Sequence, residues 1–118
     1  MFYSSIKQIE LEITTRCNAA CPQCVRNYYG GATWDTMPIV DLDRSITLER
    51  LRPFLDSRPH IKFCGTYGDP AIKKDLIEWV QWIRHNSSCP ITINTNGGMQ
   101  SANWWRQLAQ ALGPEDRK

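Results

Sequence analysis

A chain of 118 residues, 42% hydrophobic and 22% charged, has room for one domain with a modest core. Its formal net charge of +2 is too small to mark nucleic acid or an anionic membrane as its partner. No apolar run approaches the roughly 20 residues of a membrane span, and the start, Met1-Phe2-Tyr3-Ser4-Ser5, lacks the charged and apolar regions of a signal peptide, so the expected compartment is the cytoplasm.

The elements come as strand then helix, three times over, with no short repeat and no low-complexity segment. Residues 6–14 alternate, with Ile9, Leu11 and Ile13 apolar and Gln8, Glu10 and Glu12 polar, which predicts a strand. A cysteine-rich loop follows at once. A long connection then runs over about 25–44, with Gly30-Gly31 and Met37-Pro38 as breakers, and its length points to a functional or mobile segment. Leu48, Leu51, Phe54 and Leu55 have helical spacing, with Ser45 or Thr47 as the expected cap. Pro53 should kink that helix or end it early.

The second strand is expected over 60–66, with Ile61 and Phe63 on one face and Lys62 and Cys64 on the other. After the turn Tyr67-Gly68-Asp69-Pro70, Asp75 and Glu78 read as a capping box for a helix whose face carries Leu76, Val80 and Ile83. The third strand is expected over 91–95 and ends in Asn96-Gly97-Gly98. Ser101 should cap the third helix, Trp104, Trp105, Leu108, Ala111 and Leu112 form its apolar face, and Gly113 supplies its left-handed end. The helical tryptophans, Trp79 and Trp82 among them, read as packing residues.

Three such units imply an α/β fold with a parallel sheet. Covered parallel strands are usually apolar on both faces. Here Glu10, Glu12, Lys62, Thr92 and Asn94 form a polar face. That fits a partial (β/α) barrel whose interior serves a polar ligand; the alternative is a sheet with one solvated face.

Five cysteines are an odd number, and Cys17, Cys21 and Cys24 are crowded into one short run, which suits a metal site better than a disulfide framework. Their C-x3-C-x2-C spacing presents three soft ligands that favour zinc, copper(I) or an iron–sulfur cluster. Closed zinc sites and four-iron clusters both want four ligands. The fourth is either a protein group, with Cys64, Cys89, His60 and His85 as candidates, or a bound small molecule. The loop follows a predicted parallel strand, at the edge where α/β folds bind ligands. The glycine-bearing runs 65–70 and 95–98 end the other two strands at that same edge.

These residues resemble the N-terminal half of a radical S-adenosylmethionine (radical SAM) enzyme, over about residues 6–112. Cys17, Cys21 and Cys24 match the family's C-x3-C-x-Φ-C motif, Tyr67-Gly68-Asp69-Pro70 looks like its G-G-E-P motif, and Thr95-Asn96-Gly97 is similar to the T-N-G of members with a C-terminal auxiliary-cluster domain. The resemblance implies half of a TIM-like barrel in which the three cysteines hold a 4Fe-4S cluster and S-adenosylmethionine chelates its fourth iron. It implies reductive cleavage of S-adenosylmethionine to a 5′-deoxyadenosyl radical that abstracts hydrogen from a substrate, a peptide or small molecule, with ferredoxin or flavodoxin as electron donor. By the same resemblance Tyr67, Gly68 and Asp69 meet the amino end of S-adenosylmethionine, Gln23 lies near the adenine, and Asn96 lines the same pocket.

Gln23 departs from the family's apolar residue, Tyr67 from its first glycine, and Asp69 is one methylene shorter than glutamate. With three of about six strand–helix units present, the expectation is a single partial core domain over 1–118, truncated at its C-terminus and a poor binder of S-adenosylmethionine alone. The alternatives are a non-catalytic zinc or iron–sulfur electron-transfer module and an inactive truncated homologue.

Overall fold

The computed structural model describes residues 3–114; Met1-Phe2 and Arg117-Lys118, on which the reading of the two chain ends rests, lie outside the described residues. Three parallel strands, β1 (Gln8–Leu11), β2 (His60–Phe63) and β3 (Ile91–Ile93), form one sheet in the order β1-β2-β3. Ile9 stands beside Ile61 and Ile61 beside Ile91, while Glu10, Lys62 and Thr92 form the next row. Because side chains alternate across a sheet, that register puts every apolar row on one face.

Helices α1 (Arg44–Leu51), α2 (Leu76–Asn86) and α3 (Ala102–Leu112) supply the cover for the apolar face. Leu11, Ile61 and Phe63 pack there with Leu48, Leu51, Trp79, Val80, Ile83 and Leu108. The Phe63 and Trp79 rings meet edge to face at 6.3 Å. The opposite face keeps its polar residues: Lys62 Nζ lies 3.5 Å from Glu10 Oε1, and His60 Nε2 is 2.7 Å from the Thr92 hydroxyl. The expected partial barrel of three strand–helix units is therefore the fold found.

Several local expectations change. The first helix is capped by Asp43, whose Oδ1 accepts from the Ile46 amide at 2.8 Å, rather than by Ser45 or Thr47. Pro53 ends it as expected, since a proline nitrogen cannot donate within a helix, and the chain continues as a 3₁₀ turn, Arg52–Ser57. The capping box does not form: Asp75 gives its oxygens to Arg44 at 3.1 Å and Lys73 at 3.8 Å. Ser101 does cap α3, through the Trp104 amide at 3.2 Å, and Gly113 takes φ of 79° at its end.

The long connection is tied down. Beyond β1 the chain stays extended and pairs antiparallel with residues 38–42, through Thr15 N–H to the Val40 carbonyl and Leu42 N–H to the Ile13 carbonyl, each 2.9 Å. Asp41 accepts from the Thr14 hydroxyl at 2.6 Å and from Arg16 Nε at 2.9 Å, and these two bonds hold its carboxyl below the ordinary aspartate range. Among the described residues no helix is long and apolar enough to cross a membrane.

Candidate functional site

The cysteine loop leaves the extension of β1 and folds by successive tight turns. The Cys24 amide donates to the Cys21 carbonyl at 3.0 Å, and the Asn27 amide to the Cys24 carbonyl at 3.1 Å. Cys17 Sγ accepts from the Ala19 amide at 3.4 Å. All five cysteines are free thiols; Cys21 is exposed, and Cys17 and Cys24 are half-buried. Among the described residues no three His, Cys, Asp or Glu side chains converge as ligands of a single ion would. A multi-iron cluster has no need of such convergence, because each thiolate binds a different iron.

The loop after β2 sits hard against this one. A Cβ on Gly68 would lie 1.8 Å from the Thr14 carbonyl oxygen and 2.9 Å from the Thr15 Cα. Only a residue without a side chain permits that approach. Glu12 fastens the loop from the polar face, its Oε1 accepting from the amides of Tyr67 at 2.8 Å and Gly68 at 3.2 Å. Arg26 Nη1 donates to the carbonyls of Thr15 at 2.8 Å and Tyr67 at 2.6 Å.

Asp69 joins the second loop to the third. It is 5% exposed, and its Oδ1 accepts from the Ala71 amide at 2.9 Å. The Thr95 hydroxyl donates to both of its oxygens, at 2.8 and 3.0 Å, and the Asn96 amide donates to Oδ2 at 2.7 Å. Asn96 completes the circuit: its Nδ2 donates to Asn18 Oδ1 at 2.9 Å and lies 3.8 Å from Cys17 Sγ. The three strand-end loops thus form one hydrogen-bonded unit.

Asp69 accepts from three protein donors and clasps the second loop to the third. The Gly68 amide donates to Glu12. Tyr67, 38% exposed, lines a cavity with Val25, Trp34, Thr36, Met37 and Pro38. Gln23 is exposed and lines a cavity with Pro22, Cys24, Asn27, Tyr28 and Trp34, apart from the Asp69 clasp.

Of the alternative fourth ligands, His60 opens β2 at the far end of the sheet, and Cys89 is fully buried beside Ser87, 2.9 Å from its hydroxyl. His85 is on α2 and exposed. Cys64 directly follows β2 and so lies at the same sheet edge as the loops, half-buried, and burial followed by the charge of Glu10 pushes its thiol up. Glu12, Arg26 and Thr95 were not singled out from sequence as site residues.

No family model matches the chain. Over 102 residues it is 28% identical to 7,8-dihydro-6-hydroxymethylpterin dimethyltransferase of Methanocaldococcus jannaschii, a match that covers 86% of this chain and 19% of the relative. In fold it superposes on the crystal structure of BtrN in complex with AdoMet and 2-DOIA with a TM-score of 0.68 and 23% identity, covering 90% of this chain and 42% of that one. The chain is similar, in sequence and in fold, to radical SAM enzymes. It spans about a fifth of the curated relative and under half of BtrN. The three runs that resemble radical SAM motifs, at the cysteines, at Tyr67-Gly68-Asp69-Pro70 and at Thr95-Asn96-Gly97, fall on the three loops that the hydrogen bonds join.

Proposed function

We propose that this chain forms a partial core domain of a radical SAM enzyme. In this reading Cys17, Cys21 and Cys24 hold three irons of a 4Fe-4S cluster and leave the fourth for S-adenosylmethionine. One observation carries it: the circuit from Asp69 through Asn96 to Asn18 ties the cysteine loop to both other strand ends at the ligand-binding edge of a parallel sheet. The donor set fits the group, since three free thiols are soft ligands of the kind iron–sulfur clusters take.

When bound, such a cluster supplies the electron that cleaves a carbon–sulfur bond of S-adenosylmethionine and so starts hydrogen abstraction from a substrate. The protein's part is placement. Asp69 fixes the distance between the second and third loops. Glu12 holds the amides of Tyr67 and Gly68 and Arg26 holds the Tyr67 carbonyl, so that the Tyr67–Asp69 stretch backs the amino end of S-adenosylmethionine with a fixed backbone. Asn96 lines the same pocket beside Cys17, and Gln23 lies toward the adenine. The open face of Glu10, Lys62, Cys64 and Thr92 receives a polar substrate, a peptide or small molecule. A ferredoxin or flavodoxin serves as electron donor, and the setting is the cytoplasm.

Anaerobic reconstitution with iron and sulfide tests the reading. Iron–sulfur absorption should appear and be lost in Cys17→Ala, Cys21→Ala and Cys24→Ala. Adding S-adenosylmethionine should change the electron paramagnetic resonance (EPR) spectrum of the reduced protein only weakly, and little 5′-deoxyadenosine should form under reducing conditions; robust product would overturn the expectation that three strand–helix units bind S-adenosylmethionine poorly. Unchanged iron content in all three variants would sink the ligand assignment.

A further inference from the structure

Arg26 stands two residues beyond Cys24, so their Cα atoms are within about 7 Å. It is 5% exposed, and its Nη1 bonds are to two neutral carbonyls. Its Nε–H is buried without an acceptor. Among the described residues no carboxylate pairs with it; the ion pairs use Arg16, Arg44, Arg52, Lys62 and Lys73. The bonds of Glu12 to this loop are to the amides of Tyr67 and Gly68, not to Arg26. A guanidinium keeps its charge in proteins, and burying one among neutral partners is strongly unfavourable unless an anion shares the region.

The next residue repeats the pattern. Asn27 is 6% exposed, and its Nδ2 is buried with no acceptor. It lines a cavity together with Cys24. Two successive side chains directly after the cysteine loop therefore hold buried N–H groups with no partner in the protein.

We infer that Arg26 is a positioning residue that balances the negative charge of the thiolate-bound group on Cys17, Cys21 and Cys24 and so raises that group's reduction potential. This rests on the cluster reading. Reduction adds negative charge, and a fixed positive charge nearby favours the reduced form. A unit charge at about 10 Å, in an effective dielectric near 20, shifts such an equilibrium on the order of tenfold. The same guanidinium holds Thr15 and Tyr67 together, so it fixes the loop as well as its charge.

The test compares the reconstituted wild type with R26K, R26Q and R26M, measuring iron and sulfide per chain and the midpoint potential by EPR-monitored titration. In the iron-loaded fraction of R26Q and R26M the midpoint should fall by about tenfold in the reduction equilibrium, roughly 59 mV for one electron. R26K, which retains the charge, should stay near the wild type. Iron-loaded R26Q and R26M with the wild-type potential would overturn this inference and leave the cluster reading standing. A wild type that takes up no iron would overturn both. If neither neutral variant folds, R26K decides: a wild-type potential supports the charge role, and a tenfold drop overturns it.

Discussion

The two sides of this molecule are held together by different forces. The helix-covered face of the sheet is an apolar layer in which Ile61, Phe63, Leu76, Trp79, Val80 and Ile83 are fully buried. The loop edge is a polar network in which Glu12, Arg26 and Asp69 bind backbone groups of other loops and Asn96 binds the Asn18 side chain. Burial is non-directional and tolerates small shifts; a hydrogen-bond network fixes positions and fails when one member is lost. A scaffold that must carry ligands at fixed separations gains from having both. The difference predicts that damage to the first side unfolds the chain, while damage to the second loosens the site on an intact sheet.

The largest effect should come from the core. Trp79→Ala removes a fully buried ring packed on Phe63 and should destabilise by about 3–5 kcal/mol in urea or thermal unfolding. Trp79→Phe should be milder, because it also removes an indole N–H that is buried without a partner. Equal losses in the two variants would show that the ring's bulk is not what matters there.

Gly68→Ala comes next. The added methyl would strike backbone atoms of Thr14 and Thr15, which no side-chain rotation can clear. The expected loss is about 1–3 kcal/mol, at the upper end, with iron uptake impaired while the far-ultraviolet circular dichroism is kept. Normal uptake would break the claim that the second loop sets the shape of the first.

Asp69→Ala should cost about 1–3 kcal/mol by leaving the Ala71 and Asn96 amides and the Thr95 hydroxyl without an acceptor. Hydrogen exchange separates this from a core defect. Protection should fall at residues 71 and 96 and persist in α2. A uniform loss across the chain would erase the distinction between the two sides.

How much of this was legible in the sequence follows from the same distinction. The strands and helices were, because apolar periods of 2.0 and 3.6 residues are written locally in runs such as Ile9, Leu11 and Ile13 or Leu76, Val80 and Ile83. The caps were less so: Asp75 has the pattern of a capping box, but Arg44 and Lys73 arrive from elsewhere and claim its carboxylate. The clasp at Asp69 did have a local signal. An aspartate before a proline is an N-cap followed by a proline in the first helical turn, and Asp69 caps Pro70–Ile72 in this way. Arg26 and Glu12 had none, since their partners at Tyr67 stand 41 and 55 residues away.

The smallest effect belongs to Asp41, at the boundary between the two sides. Its carboxyl is held below the ordinary value of 3.8 by the Thr14 hydroxyl and by Arg16. A folded-state value depressed in this way contributes stability above the unfolded-state value, and the contribution is lost as pH falls through the lower folded-state value. The wild type should therefore lose an increment of stability on acidification below about pH 4 that Asp41→Asn never has. Above that range the wild type should be the more stable of the two, by a small margin, because the side chains of Arg16 and Asp41 are 54% and 38% exposed and solvent screens the pair. Urea unfolding of both proteins between pH 6 and pH 2.5 measures the difference. If the two curves stay parallel throughout, Asp41 acts as a neutral hydrogen-bond acceptor for Thr14. The clamp on the long connection then rests on its backbone pairing with residues 13–15.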